Sequence, residues 1–299
     1  MQVYSKLDSI ASGTAGSNIT PGCLVLEGGA WRGLYTQGAL DRLMQEDINF
    51  QTTIGISAGA MSGIGYLSGQ IGWAARINLT YRQDPNYCGR GAMKRDHGVT
   101  GFSYLFGELM EKYPIDRERF NDPSRRFAVV ATNLETGRPV CFEKGRDDIF
   151  KAIQASATVP YLSRPVFING TPFLDGGCSV KIPYVWAVNK GFQKIMVIRT
   201  RDRSFRSRSR EPKRLDHVLY RKYPEFRKTM EGGRESYNRL LDLIDRDEKS
   251  GRTFVLAPSR PVTISRFEKN MEALGELYHL GYDDMDRNID ALHEYLSSK

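Results

Sequence analysis

Gly55-Ile56-Ser57-Ala58-Gly59 has the spacing Gly-X-Ser-X-Gly. The chemistry open to such a pentapeptide is nucleophilic attack by the serine hydroxyl. A sharp strand-to-helix turn lifts the hydroxyl clear of a sheet, and flanking glycines, here Gly55 and Gly59, permit a strained backbone with close neighbours. Alone the pattern says little in a chain with 29 glycines. Its setting says more. Thr53 to Ile56 reads as a short strand, and the small residues Ala58, Gly59, Ala60 and Ser62 open a helix. The N-terminus of that helix lowers the cost of negative charge near Ser57.

A second glycine turn lies upstream, Glu27-Gly28-Gly29-Ala30-Trp31-Arg32-Gly33, with 28 residues from Gly29 to Ser57. Such a turn aims consecutive backbone N–H groups the same way and can hold an oxyanion, a phosphate or a carboxylate. Arg32 either adds positive charge to that hole or pairs with an acid. The dinucleotide fingerprint fails, because Ala30 stands where its second glycine belongs. The Walker pattern fails too, because no Gly-Lys-Ser/Thr follows.

A serine needs a base. The four histidines are His97, His217, His279 and His293, and none lies in a glycine turn. Asp175 is the better placed group, at a strand end and followed by Gly176 and Gly177. An unperturbed aspartate, with a pKa of about 3.9, is a poor base at neutral pH. Partial desolvation against the serine raises it. No cluster of His and Cys suggests a metal, and the reaction needs no cofactor. Cys23, Cys88, Cys141 and Cys178 are far apart and read as free thiols.

The elements that position these groups alternate. Strands are expected at Cys23–Leu26, Thr53–Ile56, Phe127–Thr132, Pro139–Phe142, Val166–Ile168, Pro172–Leu174, Lys194–Ile198 and Thr253–Leu256. Helices are expected over Leu34–Asp47, from Ala58, over Ile71–Gln83, Asp147–Ala157, Pro183–Lys190, Glu225–Asp247 and within Phe267–Leu296. Asn169-Gly170 marks a hairpin, and residues 85–125 read as an irregular insertion with short helices. The alternation predicts an α/β fold with a mainly parallel central sheet and helices on both faces. Residues 1–20 are small and polar and read as a flexible tail, disordered or lightly docked; residues 21–299 read as one domain with a helical C-terminal region.

The order of the glycine-rich turn, Gly-X-Ser-X-Gly and Asp-Gly-Gly resembles the patatin-like phospholipase family, in particular its bacterial members. The resemblance runs from Cys23 into the C-terminal region and includes Ala155-Ser156-Ala157-Thr158-Val159-Pro160. It implies a three-layer sandwich and a Ser–Asp dyad without histidine, with Ser57 as nucleophile and Asp175 as base. It also implies an oxyanion hole of backbone N–H groups around Gly28, Gly29 and Ala30, with Ala58. The family loop carries a third glycine where this chain has Ala30.

The net charge of +8 sits in one segment: residues 199–228 hold 12 basic and 4 acidic residues, and the rest is balanced. With no apolar run long enough to span a bilayer and no secretory leader, the chain is expected in the cytoplasm, peripheral at the inner membrane surface. Arg203, Arg206, Arg208 and Arg210 are the expected contacts with anionic lipid. The leading reading is a serine hydrolase of fatty-acyl lipid esters. One alternative is a Ser-Asp-His triad using His217, His279 or His293. Another is a non-catalytic binder of anionic lipid or nucleic acid, with Phe205, Tyr220, Tyr223 and Phe226 for stacking, although no known nucleic-acid module fits.

Overall fold

The computed structural model describes residues 2–208 and 214–298. A two-stranded ribbon, β1 (Gly13–Thr14) with β4 (Gln70–Ile71), stands apart from an eight-stranded sheet. The sheet contains β2 (Thr20–Leu26), β3 (Phe50–Gly55), β5 (Arg126–Asn133), β6 (Pro139–Glu143), β7 (Val166–Ile168), β8 (Thr171–Asp175), β9 (Ile195–Ile198) and β10 (Phe254–Leu256). The run β10-β9-β2-β3-β5 is parallel throughout. β6 and β8 pair antiparallel with β5, and β7 pairs antiparallel with β8.

The helices, in chain order, are α1 (Gly33–Gln45), α2 (Ala58–Leu67), α3 (Trp73–Tyr81), α4 (Arg90–Asp96), α5 (Phe102–Tyr104), α6 (Met110–Lys112), α7 (Arg117–Asn121), α8 (Ile149–Ser156), α9 (Tyr184–Asn189), α10 (Arg214–Leu219), α11 (Pro224–Lys249), α12 (Met271–Arg287) and α13 (Ile289–Ser297). Strand side chains alternate between faces, so a strand apolar at every position needs cover on both. Leu24, Leu26, Val129, Met196 and Ile198 pack with α1, α2, α8 and α12. Cys23, Val25, Ile54, Val130, Ile195 and Val197 pack with α9 and α11. The result is the expected three-layer sandwich.

The register around β5 places two strand ends. Gly55 lies opposite Val129 of β5, and Asp175 lies opposite Ala131. The other edge of Val129 and Ala131 is taken by Phe142 and Val140 of β6. β3 and β8 therefore share one edge of β5 and point their C-terminal ends at each other.

The C-terminal region is joined to the body at a close helix crossing. A methyl group on Gly38 of α1 would collide with the Tyr278 carbonyl oxygen, and one on Gly281 of α12 would collide with that of Tyr35. Only glycine allows backbones to approach so closely. The first twenty residues are docked, and more firmly than a flexible tail would be. Tyr4 and Ile10 are buried in the core, and the Tyr4 N–H donates to Leu79 O at 3.1 Å. Isolated apolar residues among small polar ones give no periodicity from which that docking can be read.

Candidate active site

β3 ends at Gly55, Ile56 follows, and α2 begins at Ala58. Ser57 joins them with φ 53° and ψ −120°, a conformation that serine rarely adopts. Such strain persists only where the surroundings hold it. The Ser57 N–H donates to Ser156 Oγ at 2.8 Å, and Ser156 Oγ donates to Val130 O at 2.6 Å. Val130 is the residue of β5 between those facing Gly55 and Asp175, so Ser156 bridges the gap between the two strand ends. Gly59 lets α2 descend onto β2: a methyl group there would meet Leu26 O at 2.7 Å. Gly55 underlies the same turn, close to the Ala60 N–H.

Ser57 Oγ donates to Asp175 Oδ2 at 2.7 Å. The other oxygen, Oδ1, accepts the Gly177 N–H at 2.7 Å. Thr132 Oγ1 donates to the Asp175 carbonyl at 2.9 Å, and the Asp175 N–H donates to Thr158 O at 2.9 Å. Gly176 sits against Val130 O, leaving no room for a methyl group. Burial pushes the Asp175 carboxyl above its ordinary value, while the bonds from Ser57 and Gly177 and the charges of Lys181 and Arg266 pull it back. A carboxylate so placed is a stronger base than one in water.

The upstream turn faces Ser57. The Cβ position of Gly28 lies 3.3 Å from Ser57 Cβ, and that of Gly33, the first residue of α1, lies 2.9 Å from Ala58 Cβ. The Gly28 N–H, expected in the oxyanion hole, donates instead to Lys181 O at 3.1 Å. Gly29, Ala30 and Ala58 thus carry the free N–H groups of the expected set among the described residues. Gly29 is extended, at φ −165°, and close approach explains it: a methyl group there would lie 2.7 Å from Thr200 Oγ1. Ala30 has φ 49°, so the alanine in place of a third glycine takes the left-handed conformation. That costs roughly 1–2 kcal/mol relative to glycine. Arg32 is half-buried beside this turn, and its enclosed Nε has no acceptor among the described residues.

In the sequence Glu27 is only part of the turn, yet it is among the most enclosed acids, 2% exposed. Tyr237 Oη donates to its Oε1, and the Thr200 N–H and Oγ1 donate to its Oε2. Tyr237 is 210 residues away in sequence, which is why no local pattern announces it. Ser156 is a second residue without its own signal; the stretch around it is visible in the sequence, its role is not.

The histidines lie elsewhere. His279 bonds Ser9 at 3.0 Å, His293 faces Glu46 at 3.2 Å, His217 contacts Arg227, and His97 lines a separate cleft with Lys151 and Phe167. Among the described residues, Ser57 and Asp175 bond to each other and to no histidine. The basic segment also departs from expectation. Arg199 pairs with Asp245 at 3.0 Å, Arg203 with Glu248, and Arg206 with Asp242 at 3.0 Å and Asp245 at 2.7 Å. Acids of α11 thus hold Arg203 and Arg206, two of the four arginines expected to face a bilayer. Arg208 is exposed, and Arg210 lies outside the described residues. Among the described residues, no helix is long and apolar enough to cross a membrane.

Residues 24–186 match the family model of patatin-like phospholipases, and residues 223–297 match that of a domain of unknown function, DUF6363. The Escherichia coli K12 protein YjjU, described as uncharacterized, is 26% identical over 264 residues, 86% of this chain and 74% of that protein. The probable lipid hydrolase 463L of invertebrate iridescent virus 6 is 30% identical over 173 residues, 52% of this chain and 59% of the viral one. Among solved structures, VipD from Legionella pneumophila aligns with a TM-score of 0.49 at 14% identity, over 94% of this chain and 68% of that one.

Proposed function

This chain belongs to the patatin-like phospholipase family, and from that premise we propose that it hydrolyses fatty-acyl esters of lipids through Ser57 and Asp175. Lipid acyl hydrolase activity is supported by the family and by the viral relative named as a probable lipid hydrolase. The observation that carries the finer reading is the 2.7 Å bond from Ser57 Oγ to Asp175 Oδ2, on a serine held at φ 53°.

Ser57 Oγ attacks the ester carbonyl carbon as its proton passes to Asp175 Oδ2. The tetrahedral oxyanion is met by the N–H groups of Gly29, Ala30 and Ala58 and by the positive end of α2. Asp175 returns the proton to the departing alcohol oxygen, leaving an acyl-Ser57 ester. Water then attacks that ester, giving a proton to Asp175, which restores it to Ser57 as the fatty acid leaves. The Gly177 N–H keeps Asp175 oriented through both halves. Neither half requires a metal or a histidine.

Peripheral contact with an anionic bilayer through residues 199–228 belongs to the same proposal, with α10 and its basic neighbours carrying more of it than the paired Arg203 and Arg206. α10 exposes Leu215, Val218 and Leu219, with Arg221 and Lys222 beside it. Its continuation anchors next to the strand carrying Asp175: Tyr220 Oη accepts the Tyr161 N–H at 2.8 Å, and Tyr220 packs with Leu174 and Cys178. Apolar side chains flanked by basic ones suit a bilayer interface.

A fluorophosphonate probe tests the proposal. It should modify the wild-type chain at Ser57, modify Asp175→Asn far more slowly, and leave Ser57→Ala unlabelled. Wild-type labelling of Ser57→Ala would contradict it.

A further inference from the structure

No step of the proposed hydrolysis uses Glu27, yet it is buried at the head of the glycine turn and fully engaged. Its N–H donates to Ile198 O of β9 at 3.2 Å. Its Oε2 accepts the Thr200 N–H at 2.5 Å and Thr200 Oγ1 at 3.1 Å, and its Oε1 accepts Tyr237 Oη. Burying a carboxyl group is costly unless donors meet it, and here three do. A carboxyl group adds no positive charge to an oxyanion site, so what Glu27 offers the turn is placement.

The same bonds reach the residues that follow. Thr200, fixed by Glu27, packs against Gly29, where a methyl group would lie 2.7 Å from its Oγ1. The next N–H, that of Gly28, is taken by Lys181 O at 3.1 Å. Beyond these ties the Gly29 and Ala30 N–H groups are left for the oxyanion, and Ala30 is held in the left-handed conformation. A strained turn keeps its shape only where the surroundings hold it.

Tyr237 comes from α11, within the region matched as a domain of unknown function. Its hydroxyl is not needed to dock that helix. Asp245 of α11 pairs with Arg199 at 3.0 Å, Asp242 pairs with Arg206 at 3.0 Å, and Asp247 accepts Tyr184 Oη at 2.7 Å. Leu241 and Ile244 are buried in the core. Among these anchors, the Tyr237 bond is the one directed at the glycine turn.

We infer that α11 supplies a positioning residue to the hydrolase: Tyr237 orients the Glu27 carboxyl group, and Glu27 with Thr200 fixes the glycine turn so that the Gly29 and Ala30 N–H groups meet the oxyanion. This rests on the hydrolase reading above. It gives the C-terminal region a part in the reaction although none of its atoms touches the substrate.

The test pairs two tyrosines that each donate to a buried acid and tie α11 to the body. Tyr237→Phe removes the bond to the turn. Tyr184→Phe removes the bond to Asp247, ten residues further along the helix and about 15 Å from Tyr237. Both variants should lose Tm to a comparable extent. With a soluble p-nitrophenyl ester, Tyr237→Phe should lose about tenfold or more in kcat, the scale of one hydrogen bond to a charged group, with KM little changed. Tyr184→Phe should keep the wild-type kcat. Glu27→Gln should resemble Tyr237→Phe, and the double variant should fall no further, because the two act through one bond. The tyrosine pair decides even where Glu27→Gln does not fold. Wild-type kcat in Tyr237→Phe, an equal loss in Tyr184→Phe, or a loss expressed in KM would overturn the inference alone. A wild-type chain that neither hydrolyses the ester nor reacts with a fluorophosphonate would overturn the hydrolase reading, and the inference with it.

Discussion

Gly55 and Asp175 occupy one edge of β5, two residues apart in register, at the C-terminal ends of strands that run toward each other. Ser57 enters the gap from one side and Asp175 from the other, 118 residues apart in sequence. β5 therefore sets their separation: Val130 lies opposite the gap, and its carbonyl anchors Ser156. The precision of the pair comes from a strand that contributes no reacting atom.

Ser156 should accordingly act as a positioning residue. Ser156→Ala removes the acceptor for the buried Ser57 N–H, an omission worth about 1–3 kcal/mol. Turnover of a soluble ester should fall roughly tenfold to a hundredfold, mostly in kcat, with the protein still folded by circular dichroism. Wild-type kcat in this variant would show that the strained turn holds itself.

The glycine turn makes opposite demands at neighbouring positions. Ala30→Gly relieves a left-handed alanine and should raise the unfolding free energy by up to about 1 kcal/mol while keeping activity. Gly29→Val places side-chain atoms into Thr200 and should damage both folding and activity. The cause is crowding and not φ, since Gly29 is extended. Urea denaturation and ester turnover of the two variants decide; a fully active Gly29→Val protein would remove this turn from the oxyanion hole.

The pH dependence of Asp175 has two signs. As a base it must be ionised, and burial raises its pKa, so kcat/KM should decline with acid at a pH above the ordinary carboxylate value of 3.8. For stability, a raised folded-state pKa gives a contribution that is full below the unfolded value and lost as pH rises through the folded one. At neutral pH the ionised group is thus a burden on the fold. Asp175→Asn should abolish turnover yet unfold at the wild-type temperature or higher. An acid limb at or below 3.8, or a large fall in Tm, would contradict this account of the site.

Membrane association should follow α10 more than the paired arginines. Val218→Ser with Leu219→Ser removes the exposed apolar pair, and Arg221→Gln with Lys222→Gln removes about 1 kcal/mol per charge near an anionic surface. Each pair should weaken co-sedimentation with phosphatidylglycerol vesicles, the second chiefly at low salt. Arg203→Gln with Arg206→Gln should weaken it less, because acids of α11 already hold those side chains. Loss of binding in the last variant alone would restore the basic loop as the contact.

Local signals make much of the fold legible in the sequence. The two strand–turn–helix junctions, the Asn169-Gly170 hairpin and the β5–β6 hairpin follow from turn chemistry and alternation within a few residues. Ser57 and Asp175 are visible because each sits in its own glycine turn. The rest depends on long-range partners. Nothing near Gly28 in sequence says that Lys181 O takes its N–H, nothing near Glu27 points to Tyr237, and nothing near Arg203 points to Glu248. The docking of the first twenty residues is hidden because Tyr4 and Ile10 are single buried residues without a repeating pattern around them.

The central claim is that Ser57 and Asp175 act as one unit, and the turnover of a soluble p-nitrophenyl ester by Ser57→Ala, Asp175→Asn and the double variant tests it most directly. Groups that act together lose their effect together. Each single variant should fall on the order of 10³-fold or more in kcat, and the double variant should fall no further. The account would be contradicted by near-wild-type turnover in either single variant, or by losses that multiply in the double variant.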